Sequence, residues 1–147
     1  HTTCRRQRQM CIRDRKNRKK NNAFFYKKGS ESAKSMIKAL KQNEDLALLI
    51  DQRDSSGLEI DFFGKKVLAT DGFANLAIRY KTMICPVYSI RNQNNKFQII
   101  FEKPLRYEEY KNYDVKGLVE MIHKKYFEKW ITHSPSQWLW VHKRWKL

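Results

Sequence analysis

The feature that most constrains this chain is the apolar stripe in its last third. Val115, Leu118, Val119, Ile122, Tyr126 and Trp130 recur at helical spacing behind Asp114, the pattern of an amphipathic helix with one face toward a core. Asp114 stands where a capping carboxylate belongs, so the spacing predicts a helix from there to about Thr132. Ser134-Pro135 follows at once. A capping hydroxyl before a proline at the first helical position predicts a short final helix within SPSQWLWV.

Upstream, the pattern alternates between helical and extended segments. Ala33, Met36, Ile37 and Leu40 predict a helix over roughly 31–43, capped by Ser30 or Ser32 and broken at Asn43 to Asp45. The run LALLI, Leu46 to Ile50, reads as a short strand covered on both faces, and the polar stretch DQRDSSG after it as a flexible loop. Thr70 opens a second helix with Phe73, Leu76, Ala77 and Tyr80 on one side, and ICPVYSI, Ile84 to Ile90, reads as the next strand. Strand, helix and strand in that order predict a right-handed βαβ unit with two parallel strands. RNQNN supplies turn residues, so FQIIFEK, Phe97 to Lys103, should return antiparallel. The expected fold is therefore α/β, a mixed and mainly parallel sheet flanked by helices.

The chain has 147 residues and 41% hydrophobic composition, the size and apolar content of one domain with a real core. Its net charge of +16 favours polyanionic partners. That charge is uneven. Eleven of the thirty-one Lys and Arg, against one of the fifteen acids, fall in residues 1–28. This block lacks apolar periodicity and reads as a basic, disordered or non-native segment ahead of the domain at 29–147. Its first fifteen residues, HTTCRRQRQMCIRDR, resemble translated sequencing-adapter read-through. Setting that segment aside leaves Cys85 as the one cysteine and no Cys/His spacing suited to a metal, so neither disulfide framework nor metal nor cofactor is expected. No run approaches the roughly 18 apolar residues of a membrane span.

Candidate chemistry gathers at a few points. Ligands in open α/β sheets collect beyond the carboxyl ends of strands, and Asp51, Gln52 and Arg53 stand at such an end. The carboxylate can orient a base, the amide can donate or accept, and the guanidinium can clamp a phosphate. A loop-capping Asp51 and a solvated Arg53 fit the tripeptide equally well. In IDFFG, Phe62 and Phe63 would face opposite ways if extended, one toward the core and one toward a lipid chain, while burial of both is the simpler alternative. The tail SPSQWLWVHKRWKL sets Trp138, Trp140 and Trp145 among Lys143, Arg144 and Lys146, a mixture suited to nucleic acid, an anionic membrane surface or a buried helix end.

Taken in order, DQR, FFG, ATDGFANLAIRY with CPVY behind it, and PSQWLWVHKRWK resemble the C-terminal half of the bacterial lipid A biosynthesis acyltransferases, the lauroyl and myristoyl transferases. The resemblance spans about Gly29 to Lys146. It implies a fold like that of glycerol-phosphate acyltransferases, truncated at its N-terminus, working at the cytoplasmic face of the bacterial inner membrane. The implied donor is acyl-carrier protein or acyl-CoA, and the implied acceptor a lipid A precursor or related glycolipid. Asp51 would support catalysis, while Gln52, Arg53, Phe62, Phe63, Lys143, Arg144 and Lys146 would bind substrate. The family's catalytic pair is a His with Asp or Glu five positions on. Only HKKYFE, His123 to Glu128, has that spacing near the domain, and it lies late on a helix, far downstream of where the family motif belongs, so the match reads as chance. The expected piece is thus an acyltransferase without its catalytic pair, inactive by itself. The competing reading, a basic nucleic-acid-binding module, is weakened because the bases outside residues 1–28 are scattered rather than striped.

Overall fold

A computed structural model describes residues 30–140 together with Arg144 and Trp145. The expectations for residues 1–28, for the capping side chain of Ser30, and for Lys143 and Lys146 lie outside the described residues. The chain divides into two compact units, His1–Leu46 and Ala47–Leu147.

In the first unit, α1 runs over Ser30–Lys41. Asn43 then adopts a left-handed φ of 57°, and the Glu44 amide turns back to the Ala39 carbonyl at 3.0 Å. Asparagine tolerates that conformation better than most residues, which is why the helix stops where the polar residues begin.

The second unit opens with a correction. LALLI forms no strand; Leu48 and Leu49 are 40% and 80% exposed. The segment read as a flexible loop instead enters a ten-residue strand, β1 (Arg53–Phe62), which pairs antiparallel with β2 (Lys65–Ala69). The reason is the turn between them. Phe62 pairs with Lys65, leaving a two-residue loop, Phe63-Gly64, with φ of 52° and 69°. Two positive φ angles in a two-residue loop twist the backbone in the sense that joins adjacent antiparallel strands. Alternation in LEIDF and KVLA then places Ile60, Phe62, Val67 and Ala69 on one fully buried face.

Further up the hairpin, Ala69 is opposite both Arg53 and Leu58, so β1 carries a bulge. Gly57 makes the bulge possible: a Cβ there would stand 2.1 Å from the Ala69 carbonyl oxygen.

Helix α2 (Gly72–Tyr80) buries Phe73, Ala74 and Ala77 and ends at Lys81 in the left-handed region. The next strands, β3 (Val87–Arg91) and β4 (Phe97–Phe101), form the expected antiparallel hairpin. β3 does not join β1, however. Among the described residues there are two separate two-stranded antiparallel sheets, and the expected mainly parallel sheet is absent. The βαβ reading failed because it assigned the first strand to LALLI, whereas the β1–β2 turn folds that edge of the unit back on itself.

The inner face of the β3–β4 hairpin meets the helical layer through Tyr88, stacked on Trp130 at 4.6 Å. Val87, Phe97, Ile99 and Phe101 point the other way and are exposed. A bridge between Ile84 and Leu105 ties the hairpin base to the core. After the short α3 (Tyr107–Tyr110), buried Tyr110 donates its hydroxyl to the Thr82 carbonyl.

The long helix appears as expected, with one change of pitch. Asp114 accepts the Gly117 amide at 2.7 Å and caps α4 (Val115–Ile122). The axis continues through a π-helical turn, His123–Glu128, into α5 (Lys129–His133). The buried side includes His123, Phe127 and Ile131, each four residues on from the last starting at Val119, as well as Leu118, Ile122 and Tyr126. The expected final helix is reduced to one 3₁₀ turn, Pro135–Gln137.

Candidate functional site

The strongest departure from ordinary burial is Arg144, a guanidinium only 2% exposed. Arginine is rarely buried without partners, because removing its charge from water is costly. Here one terminal nitrogen, Nη1, donates to the Asp51 carbonyl, and the other, Nη2, lies 2.8 Å from Nε2 of His123. The guanidinium carbon stands 5.1 Å from the centre of the Phe62 ring, a geometry in which the ring face attracts the cation. Nε is buried and has no partner among the described residues. Burial pulls the Arg144 pKa below its usual range, and the nearby Asp51 carboxylate opposes that shift.

His123 is fully buried, and both its nitrogens are engaged. Nδ1 lies 2.8 Å from the Val119 carbonyl, one turn back along α4. A carbonyl can only accept, so Nδ1 carries the proton; Arg144 can only donate, so Nε2 presents its lone pair. Burial drives the imidazole pKa from 6.5 to about 4; the Val119 hydrogen bond opposes this and the Arg144 charge adds to it. The ring stacks on Phe127 at 5.0 Å and meets Phe62 edge-on at 5.5 Å. At neutral pH His123 is an uncharged acceptor with no free nitrogen for an incoming hydroxyl.

Glu128, at the other end of HKKYFE, is committed elsewhere: its carboxylate accepts the Phe63 amide at 2.7 Å. His123 and Glu128 are therefore both tied to the fold.

The remaining candidates fall around this cluster. Asp51 is half-buried, and with Gln52, Trp138, Leu139 and Arg144 it lines a small recess. Gln52 is exposed; Arg53, also exposed, begins β1. Phe62 has no exposed surface and lies parallel to Trp145 at 5.8 Å, while the Trp145 ring nitrogen donates to the Phe62 carbonyl at 3.3 Å. Phe63, 39% exposed, sits at the hairpin tip. Trp140 stacks on Trp145 at 6.0 Å. The structure thus brings Asp51, Phe62 and Arg144 together and leaves Arg53 and Phe63 outside the cluster. It adds His123, which the sequence marked only through the spacing of HKKYFE, a match read there as chance. Among the described residues, no three His, Cys, Asp or Glu side chains converge as metal ligands.

The molecule is an α/β protein in which a buried cation joins three segments distant in sequence: the DQR segment, the FFG hairpin and the tryptophan-rich tail. The family model for bacterial lipid A biosynthesis acyltransferases matches residues 2–147. The chain belongs to that family, whose members catalyse acyl transfer in lipid A synthesis. No curated protein matches the chain. No helix among the described residues is long and apolar enough to cross a membrane.

Proposed function

We propose that this chain is the C-terminal part of a lipid acyltransferase that moves a fatty acyl group from acyl-carrier protein or acyl-CoA to a lipid A precursor or related glycolipid. The family match supports the reaction class. The observation carrying the reading to particular residues is Arg144, which joins Asp51 and the Phe62 ring. Segments that resemble family blocks in sequence thereby meet around one buried guanidinium. In this reading Asp51 faces the reacting groups, and Gln52 and Arg53 meet polar parts of the substrates. Phe63 and the tail bases Lys143 and Lys146 meet lipid and phosphate at the cytoplasmic face of the inner membrane. Arg144 acts from within, fixing the loop rather than touching phosphate.

The proton-abstracting pair is not HKKYFE, because both nitrogens of His123 are engaged. A positioned base commonly contributes about 10²–10⁴-fold, so the 147-residue chain alone should transfer no acyl group. The test is transfer of a labelled acyl group to a lipid A precursor by the chain extended through its native upstream coding sequence, followed by mass spectrometry. A product heavier by one acyl chain is expected. An extended enzyme that leaves the precursor unmodified with both donor types would overturn the reading.

A further inference from the structure

We infer that His123 is a positioning residue: through its Nε2 lone pair it anchors Arg144, and through Arg144 it holds the backbone of the Asp51-Gln52 loop in place. Its bearing on acyl transfer rests on the proposed function; the mechanical relation does not.

The geometry forms a relay of three hydrogen bonds from a helix to a loop. The Val119 carbonyl accepts from Nδ1 and thereby fixes the imidazole tautomer. Nε2 accepts from Nη2 of Arg144, and Nη1 of the same guanidinium reaches the Asp51 carbonyl. Because a guanidinium is planar, fixing one terminal nitrogen and seating the plane over Phe62 also fixes the direction of the other. Lysine could supply the charge but not both directions.

The imidazole ring is held independently. It is fully buried, with Phe127 stacked on it and the edge of Phe62 against it. The π turn begins at His123 itself, and π turns inside α-helices are frequent at functional positions. Asp51 and Gln52 line the recess beside Arg144, together with Trp138 and Leu139. Neither has regular secondary structure to hold it, so side-chain anchoring decides their position.

A rigid-ring control separates this role from packing. His123→Phe keeps an aromatic ring between Phe62 and Phe127 but removes the acceptor; His123→Gln restores an acceptor without the ring. In the 147-residue chain, His123→Phe should speed hydrogen exchange of the Arg144 guanidinium protons, which bridge His123 and the Asp51 carbonyl, by about tenfold or more, as loss of a hydrogen bond to a charged donor implies. Exchange in α2 and the β3–β4 hairpin should be unchanged, and His123→Gln should recover most of the protection. Equal exchange in wild type and His123→Phe, or a Gln variant no better than Phe, would overturn the inference.

Should His123→Phe not fold, the wild-type chain still decides the matter. ¹⁵N shifts of the His123 ring at neutral pH should report a proton on Nδ1 and a free Nε2, and the opposite tautomer or an imidazolium would sink the relay. In the extended enzyme, His123→Phe should lower kcat more than it changes KM, with partial rescue by Gln. If wild-type extended enzyme transfers no acyl group while the exchange and tautomer results hold, the proposed function fails and the positioning role stands. An unaltered kcat in His123→Phe beside an active wild type would remove His123 from the reaction.

Discussion

The Glu128 carboxylate accepts the Phe63 amide at 2.7 Å across 65 residues of sequence. Phe63 is held there at a left-handed φ of 52°, first in the two-residue turn that sets the register of the β1–β2 hairpin. A second glutamate of the same helix, Glu120, accepts the Asp61 amide at 3.3 Å. Two carboxylates of the long helix thus grip the end of the hairpin whose strands carry Phe62 into the core. Glu120 lies on α4 and Glu128 is the last residue of the π turn that follows it.

A bulky side chain at positive φ is uncommon and costs on the order of 1 kcal/mol or more. Asparagine followed by glycine is the favoured pair for such a turn. Phe63→Asn should therefore raise stability by about 1 kcal/mol, less the lost contact with Phe62, whose ring centre lies 4.8 Å away. Urea unfolding measures it. A lower midpoint would show that the Phe63 ring outweighs its backbone strain.

Gly57 tolerates no side chain, since an added Cβ would lie 2.1 Å from the backbone oxygen of Ala69. Backbone cannot swing aside as a long side chain can. Gly57→Ala should cost about 2 kcal/mol or more by opening the bulge or shifting the strand. The readouts are a fall in Tm and loss of amide protection at Ala69; an unchanged Tm would mean the bulge relaxes freely.

His123 gives the fold a signed dependence on pH. Its pKa is about 4 in the folded chain against 6.5 for an ordinary imidazole. Between these values the unfolded chain binds a proton that the folded chain refuses, so stability is full above about 6.5, falls with the pH toward 4, and levels off below. Among the described residues, the groups facing the ring are the Arg144 guanidinium, the Val119 carbonyl, and the uncharged Phe62 and Phe127. At roughly 1.4 kcal/mol per unit the contribution is on the order of 3 kcal/mol. Denaturant titrations at several pH values should show this slope, and His123→Gln should flatten it; equal slopes would place the titration elsewhere.

Arg144→Lys keeps one charge but cannot serve both Asp51 and His123. It leaves a buried acceptor unpaired, at a cost of about 2 kcal/mol. Chemical denaturation of the 147-residue chain checks this directly. Stability within error of wild type would mean that an ammonium satisfies both partners.

Asp51→Asn separates the carboxylate from the backbone. Arg144 takes the carbonyl of Asp51, which asparagine retains, so Tm should fall only by the lost attraction between the Asp51 carboxylate and the guanidinium. In the extended enzyme, if Asp51 stabilises an imidazolium formed during proton abstraction, kcat should fall by at least about tenfold. A lower Tm with normal kcat would return Asp51 to a structural role.

Local chemistry settled much of this protein from sequence alone. Asp114 and the stripe behind it fixed the long helix, because capping and helical periodicity act within a few residues. RNQNN fixed the β3–β4 hairpin for the same reason. The DQR, FFG and WVHKRWK segments marked the family, which the match over residues 2–147 shows. The β1–β2 hairpin was also within reach, in the alternation of LEIDF and KVLA around Phe63-Gly64, but the apolar run LALLI drew the strand assignment away from it. Other features depended on contacts no local window contains. Arg144 looks like a solvated base in HKRW and is buried because Asp51, 93 residues away, and His123, 21 residues away, supply acceptors while Phe62 supplies a ring face. A helix or turn is decided by hydrogen bonds to near neighbours. A buried charge is decided by whether distant polar groups converge on it, and only the tertiary structure brings those groups together.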